Sequence, residues 1–217
     1  METLTEMLLE SDLGGNVISK TTIRDVVGGS EGRRWGLVHR ALSSGQLVRL
    51  KRGLYVVSPS VSRQRQSVYH IANMLVPEGY VSMESALDFH GWLQEKPAAV
   101  SSCVPEGRSR SFQNPFGEFV YKRLPWRVDN FYLGTVGAAS GGNAFVIAGP
   151  ERALGDTAYF RRLTWEGIGG LCARLRVDMD VLEDLDLELL DRLADGYRSP
   201  SVRELLRKLS QALGGGS

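Results

Sequence analysis

Ser30–Val57, SEGRRWGLVHRALSSGQLVRLKRGLYVV, carries a helical pattern that stops at a glycine and passes straight into a short basic hairpin. Ser30 suits an N-cap, because its hydroxyl can accept from backbone N–H groups that a first helical turn leaves unpaired. Arg34, Leu37, Val38, Ala41 and Leu42 follow the spacing that places them on one helical face. Gly45 closes the helix, since glycine takes the left-handed conformation without a Cβ penalty. Leu47–Leu50 and Leu54–Val57 are apolar runs on either side of Lys51-Arg52-Gly53, which reads as a three-residue hairpin loop. Helix, hairpin and cationic tip in that order predict a winged helix-turn-helix.

Upstream, Met1–Leu9 reads as a short helix with Leu4, Met7 and Leu8 on one side, and Gly14-Gly15 breaks it. Ser19 or Thr21 can cap a second helix through Val27, and Gly28-Gly29 turns the chain into the third. On that third helix Arg33, Gly36, Arg40 and Ser43 lie opposite the apolar stripe, with Trp35 expected near the buried side. In a DNA-binding reading the third helix enters the major groove, bringing Arg33, Arg34 and Arg40 to base edges or phosphates. Lys51 and Arg52 at the wing tip touch the flanking backbone, and Thr21 and Thr22 donate to phosphate at the start of the second helix. The competing reading is a solvated helix face and an ordinary charged turn. Winged helices also serve as protein-interaction modules.

The 217 residues, 42% hydrophobic, suffice for one large domain or two small ones. A net charge of +1 hides a strong asymmetry. Lys20–Arg65 holds ten Lys/Arg against Asp25 and Glu31, a local net of +8, whereas Asp178–Asp195 holds eight Asp/Glu against one arginine, a local net of −7. Such bipolarity points to a nucleic-acid partner more than the total does. Cys103 and Cys172 stand far apart without a CxxC or Cys/His cluster, which argues against a disulfide framework and a structural zinc. The acidic start METLTEMLLESDLGG lacks the basic region of a secretory signal, and no run approaches the ~18 apolar residues of a membrane span. A soluble cytoplasmic protein is expected.

Ser58-Pro59-Ser60 marks the expected boundary between a winged-helix domain over 1–59 and a second domain over 60–213, with 214–217 a flexible end. Val61–Val76 reads as a connecting helix, and Ser82–Gly91 as a short capped helix that Gly91 terminates. Strands are expected at Ala98–Val104, Phe116–Arg123, Phe131–Val136 and Ala144–Ile147. Pro150 and Glu151 open a further helix, as proline at N1 and an acid in the first turn should. Thr164–Leu213 reads as helical throughout, punctuated at Tyr197–Ser201. The expected fold class is α+β: a winged helix, then a mixed α/β domain with a C-terminal helical bundle.

Ser82-Met83-Glu84-Ser85-Ala86-Leu87, followed by His90-Gly91, resembles the S-x-x-S-A-L…H-G stretch of AbiEi-family antitoxins. Pro150-Glu151-Arg152-Ala153-Leu154-Gly155-Asp156 is similar to that family's P-E-K-A-L-x-D. Arg52-Gly53-Leu54-Tyr55 resembles its R-G-x-Y, and Phe116–Tyr121 its P-x-G-x-F-x-Y-like strand. The matches stand in the family's order over roughly residues 15–160. The resemblance implies a bacterial antitoxin of the AbiE type (type IV), encoded beside a nucleotidyltransferase-like toxin. Its winged helix would repress the operon's own promoter at inverted repeats, and its C-terminal domain would carry the antitoxin activity. Symmetry matching to inverted repeats would place two copies on an operator, or a monomer on each repeat, and no cofactor is expected. Two departures stand out: the glycine-rich turn Gly28–Gly32 before the third helix, and the acidic Asp178–Asp195 stretch.

No Walker loop, GxGxxG after a strand or HExxH is present, and no enzymatic activity is expected. His90 and Cys103 have nothing that places them together. Glu151 and Asp156, five apart on a helix, point to different sides, which suits a helix-start residue and a fold contact. His90 is read as capping the last carbonyls of its helix, or else as part of a partner or ligand surface. The acidic segment is the wet face of bundle helices, a docking surface for a basic toxin, or a phosphate mimic. Two further functional readings stay open: a protein-interaction module without DNA binding, and a ligand-responsive regulator with a pocket at Trp92, Tyr121 and Phe145.

Overall fold

The computed structural model describes residues 3–63 and 66–215. Met1, Gln64 and Arg65, which enter the helix and charge expectations above, lie outside the described residues, as do Gly216 and Ser217 of the expected flexible end. The chain is mixed α+β, in two compact units. The first runs to Pro77 and takes in Phe112–Glu118 and Ala138–Phe145; the second holds Glu78–Ser111, Phe119–Gly137 and the residues from Val146 onward.

In the first unit the order is α1 (Leu4–Glu10), β1 (Val17–Ser19), α2 (Lys20–Val27), α3 (Glu31–Ser43), β2 (Leu47–Lys51) and β3 (Leu54–Val57). Side-chain caps start each helix: Thr3 and Glu6 form a capping box on α1, Ser19 and Thr22 one on α2, and Ser30 accepts from Arg33 N at 3.3 Å on α3. The strands form an antiparallel sheet in the order β1-β3-β2, with Val17 opposite Val56 and Arg49 opposite Tyr55. Leu37, Val38 and Ala41 of α3 join Leu4, Leu8 and Ile23 in the buried core. β1 escaped the sequence reading because three residues are too few to show alternation. Its ladder is supplied by β3.

The hairpin turn is tighter than expected. Lys51 pairs with Leu54, so the loop is Arg52-Gly53 alone, and a register shift between Arg49 and Lys51 takes up the extra residue. Gly53 holds φ +79°, and a Cβ there would come within 3.0 Å of Lys20 Cε. Helix continuity over Val61–Val76 is also corrected. α4 (Pro59–Ser62) ends at Arg63 in the left-handed conformation, and α5 (Val68–Leu75) restarts from Ser67, whose hydroxyl accepts from His70 N. The boundary expected at Ser58–Ser60 lies inside this unit, since α5 packs on β2 and Lys51 Nζ donates to Leu75 O at 2.6 Å.

The remaining elements are β4 (Tyr80–Val81), α6 (Met83–Phe89), β5 (Ala99–Val104), β6 (Arg110–Asn114), β7 (Gly117–Arg123), β8 (Thr135–Ser140), β9 (Asn143–Ala148), α7 (Pro150–Arg161), α8 (Gly167–Leu175), α9 (Leu187–Gly196) and α10 (Pro200–Gly214). A six-stranded mixed sheet has the order β6-β7-β5-β4-β9-β8, with β4 antiparallel to β5 and parallel to β9. The strand expected at Phe131–Val136 begins instead at Thr135, because Phe131 turns inward and its ring sits 5.3 Å from that of Tyr80. β6 was not expected at all. The helical tail is not continuous: residues 164–166 are irregular, Arg176 ends α8 in the left-handed conformation, and a 3-10 turn over Asp180–Leu182 precedes α9.

Within the second unit α7 is the central helix. Every residue from Glu151 to Ala158 is buried, and α6, α9 and α10 pack on it. A helix buried all round needs no amphipathic stripe. The eight acids of Asp178–Asp195 are all exposed, while Leu182, Leu185, Leu190 and Leu193 are buried. Arg207 of α10 reaches Asp195 at 2.7 Å.

Candidate nucleic-acid interface

The cations of the first unit divide into two groups. Arg34, half-buried, donates through Nη1 to the carbonyls of Gly28 and Gly29 and so ties α3 to the C-terminal end of α2. Lys51 is committed to Leu75 O, the last carbonyl of α5, where a cation meets the negative end of the helix dipole. Thr22 is similarly engaged, its hydroxyl 2.9 Å from Ser19 Oγ in the α2 capping box. Arg24 pairs with its neighbour Asp25 at 3.2 Å.

Arg33, Arg40 and Arg52 belong to the other group, as do Arg49 and Arg63. All five are exposed, and none has a side-chain hydrogen-bond or ion-pair partner among the described residues. Seven residues separate Arg33 from Arg40, two helical turns or about 10.5 Å of rise, so both side chains leave the same face of α3. Gly36 lies between them; a Cβ there would sit 3.4 Å from Arg40 Nη1, so the missing side chain leaves room for the Arg40 guanidinium. Arg52 stands at the hairpin tip and Thr21, exposed, on the first turn of α2.

Trp35 is a correction to the sequence reading. It is 40% exposed rather than packed, its Nε1 donates to Glu31 Oε1 at 3.1 Å, and Lys20 Nζ lies 5.0 Å over its ring. Together with Thr21, Arg24 and Arg34 these residues line a cleft of about 190 Å³ between α2 and α3.

In the second unit Ser82 and Arg152 from two of the motifs converge, with residues outside them, on the buried Asp156 carboxylate. Asp156 Oδ2 accepts from Ser82 Oγ at 2.6 Å, Tyr80 Oη at 2.9 Å and Cys103 Sγ at 3.5 Å. Its Oδ1 accepts from Arg152 Nε at 3.0 Å and Tyr197 Oη at 2.6 Å. Arg152 and Asp156 are both fully buried, and Arg152 Nη1 donates to Leu133 O. The guanidinium lies 3.7 Å from the ring centre of Trp126, inside a cage completed by Tyr80, Phe131 and Tyr197. Desolvation opposes the charge of Arg152, but the Asp156 carboxylate outweighs it and holds its pKa above the ordinary value. Burial, with Asp156 beside them, pushes Tyr80, Tyr197 and Cys103 well up, so all three stay neutral donors.

Ser82 therefore does not cap α6, although it occupies the N-cap position; its hydroxyl is spent on Asp156. Ser85 bridges Ala99 O and Ser101 N. His90 does not cap its own helix either: its Nε2 lies 2.8 Å from Ala148 O, two residues before Pro150. Gly91 ends α6 at φ +79°. Glu151, at the start of α7, accepts from Asp186 N at 3.0 Å and so anchors the approach to α9. Trp92, Tyr121 and Phe145 are each buried in packing. The participation of Tyr80, Trp126, Arg152 and Tyr197 was missed, although Arg152 stands inside the Pro150–Asp156 motif.

No helix among the described residues is long and apolar enough to cross a membrane. No protein-family model matches the chain, and no curated protein matches it significantly.

Proposed function

We propose that the first unit is a winged helix-turn-helix that binds duplex DNA, and that the protein is an antitoxin repressing its own operon and counteracting a nucleotidyltransferase-like toxin. The observation that carries the DNA reading is the division among the cations. Arg34 and Lys51 are spent on backbone carbonyls, whereas Arg33 and Arg40 on α3 and Arg52 at the hairpin tip are exposed and uncommitted. Helix, strand, helix, helix, hairpin, with β1 closing onto β3, supports the winged-helix reading. The antitoxin half is supported by the AbiEi resemblance. Residues from two of its separate motifs, Ser82 and Asp156, share a buried hydrogen bond.

The test is an anisotropy titration on the DNA immediately upstream of its gene, at 50 and 200 mM salt. Three phosphate contacts release counterions with a slope near −2.7, so affinity should fall roughly 40-fold over that range. Salt-independent binding, or none, would contradict the DNA reading. For the antitoxin half, co-expression with the neighbouring toxin should restore growth, and failure to do so would remove it.

A further inference from the structure

The second unit holds a cleft of about 810 Å³ whose lining includes Pro125, Tyr159, Phe160, Arg162, Arg198 and Ser199. Its chemistry is one-sided. Arg162 and Arg198 are exposed cations with no carboxylate on the lining, and Arg127 shares with Arg198 an adjoining hollow. Arg198 Nε is held by Trp126 O at 3.2 Å, which orients the guanidinium and leaves its Nη groups uncommitted. Tyr159, Phe160 and Pro125 supply the aromatic and apolar part of the lining. Phe160 also lies under Lys122 Nζ at 5.2 Å, which adds positive charge beside it. Ser199 precedes α10 without using its hydroxyl as a cap, and Ser201 lies in the first turn of that helix.

We infer that this cleft binds a nucleotide, with the phosphates taken by Arg162 and Arg198 and the base laid on Tyr159, whose ring stands at 89° to that of Phe160. Guanidinium groups favour phosphate because their fork matches two of its oxygens. An aromatic surface takes a base because every base presents a π-face. The concavity favours a small ligand over duplex DNA, which needs a convex face to enter its groove. The site lies wholly in the second unit and is independent of the Arg33/Arg40/Arg52 face.

The full-length protein should be titrated by calorimetry with the four ribonucleoside triphosphates, inorganic triphosphate and adenosine. At least one nucleoside triphosphate should bind, at least tenfold more tightly than inorganic triphosphate, and adenosine should be weaker than either. Arg162 holds φ +55°, a conformation glycine accepts readily, so Arg162→Gly removes the cation without asking the backbone to move. It should weaken nucleotide binding at least tenfold, as should Arg198→Gln, while Arg33→Ala/Arg40→Ala leaves it unchanged. No binding at millimolar nucleotide would overturn the inference. So would inorganic triphosphate binding equally well, or loss of binding in Arg33→Ala/Arg40→Ala rather than in Arg162→Gly.

Discussion

Asp156 accepts four hydroxyl or guanidinium hydrogen bonds and a thiol contact while fully buried, so loss of either member of the Arg152–Asp156 pair leaves the other an uncompensated charge. Breaking a buried ion pair from one side costs roughly 3–5 kcal/mol. Asp156→Ala should lose that much in a urea melt, because it strands the Arg152 guanidinium among four aromatic rings. The tyrosines also make stability depend on pH. Tyr80 and Tyr197 ionise at a higher pH in the folded state than in the unfolded chain, where tyrosine ionises near pH ~10. Their contribution is complete below that value and is lost as pH rises above it, since only the unfolded chain releases the protons. A thermal-melt series should therefore show Tm falling progressively above about pH 10, and Tyr197→Phe should flatten that fall. The motifs around Ser82 and Asp156 were legible as words in the sequence. Their meeting point was not, because residues 74 apart come together through the packing of α6 on α7.

Among the elements, α3 was the most legible: Ser30 and the Leu37/Val38/Ala41 stripe placed its start and buried face within a residue. The strands β1 and β4 were not, since two or three residues carry no period and gain their hydrogen bonds from neighbours distant in sequence. Trp35 was misplaced because a helical wheel cannot foresee that Glu31 and Lys20 would hold an indole at the surface. Two element-level predictions follow from close approaches. A Cβ on Gly196 would lie 2.0 Å from Trp126 Cζ2, and Trp126 is itself pressed against Arg152. Gly196→Ala should cost about 1–3 kcal/mol through overpacking and should blue-shift or broaden the tryptophan emission. Lys51→Ala removes the bond that ties β2 to α5, and should lower stability by about 1 kcal/mol while leaving DNA affinity within twofold.

For the molecule as a whole, total charge says little and its placement says more. The basic front resolves into cations that hold the first unit together and cations that point outward; sequence counts them alike, because only coordinates reveal which carbonyl a guanidinium or ammonium has met. The acidic back resolves into eight exposed carboxylates over buried leucines, with Asp195 engaged by Arg207. That pattern fits the wet face of a bundle and equally a docking surface, and the outward arginines of the first unit carry the central claim.

The measurement that tests this claim most directly compares six variants, each shown to be folded by thermal melt, for affinity to the upstream DNA at 100 mM salt. Arg33→Ala, Arg40→Ala and Arg52→Ala should each weaken binding, with at least a tenfold loss for the Arg33→Ala/Arg40→Ala double variant. Arg34→Ala and Lys51→Ala should lose stability and keep their affinity. Folded Arg33→Ala/Arg40→Ala protein that binds as tightly as the parent, or a loss in Lys51→Ala as large as in Arg52→Ala, would contradict the account.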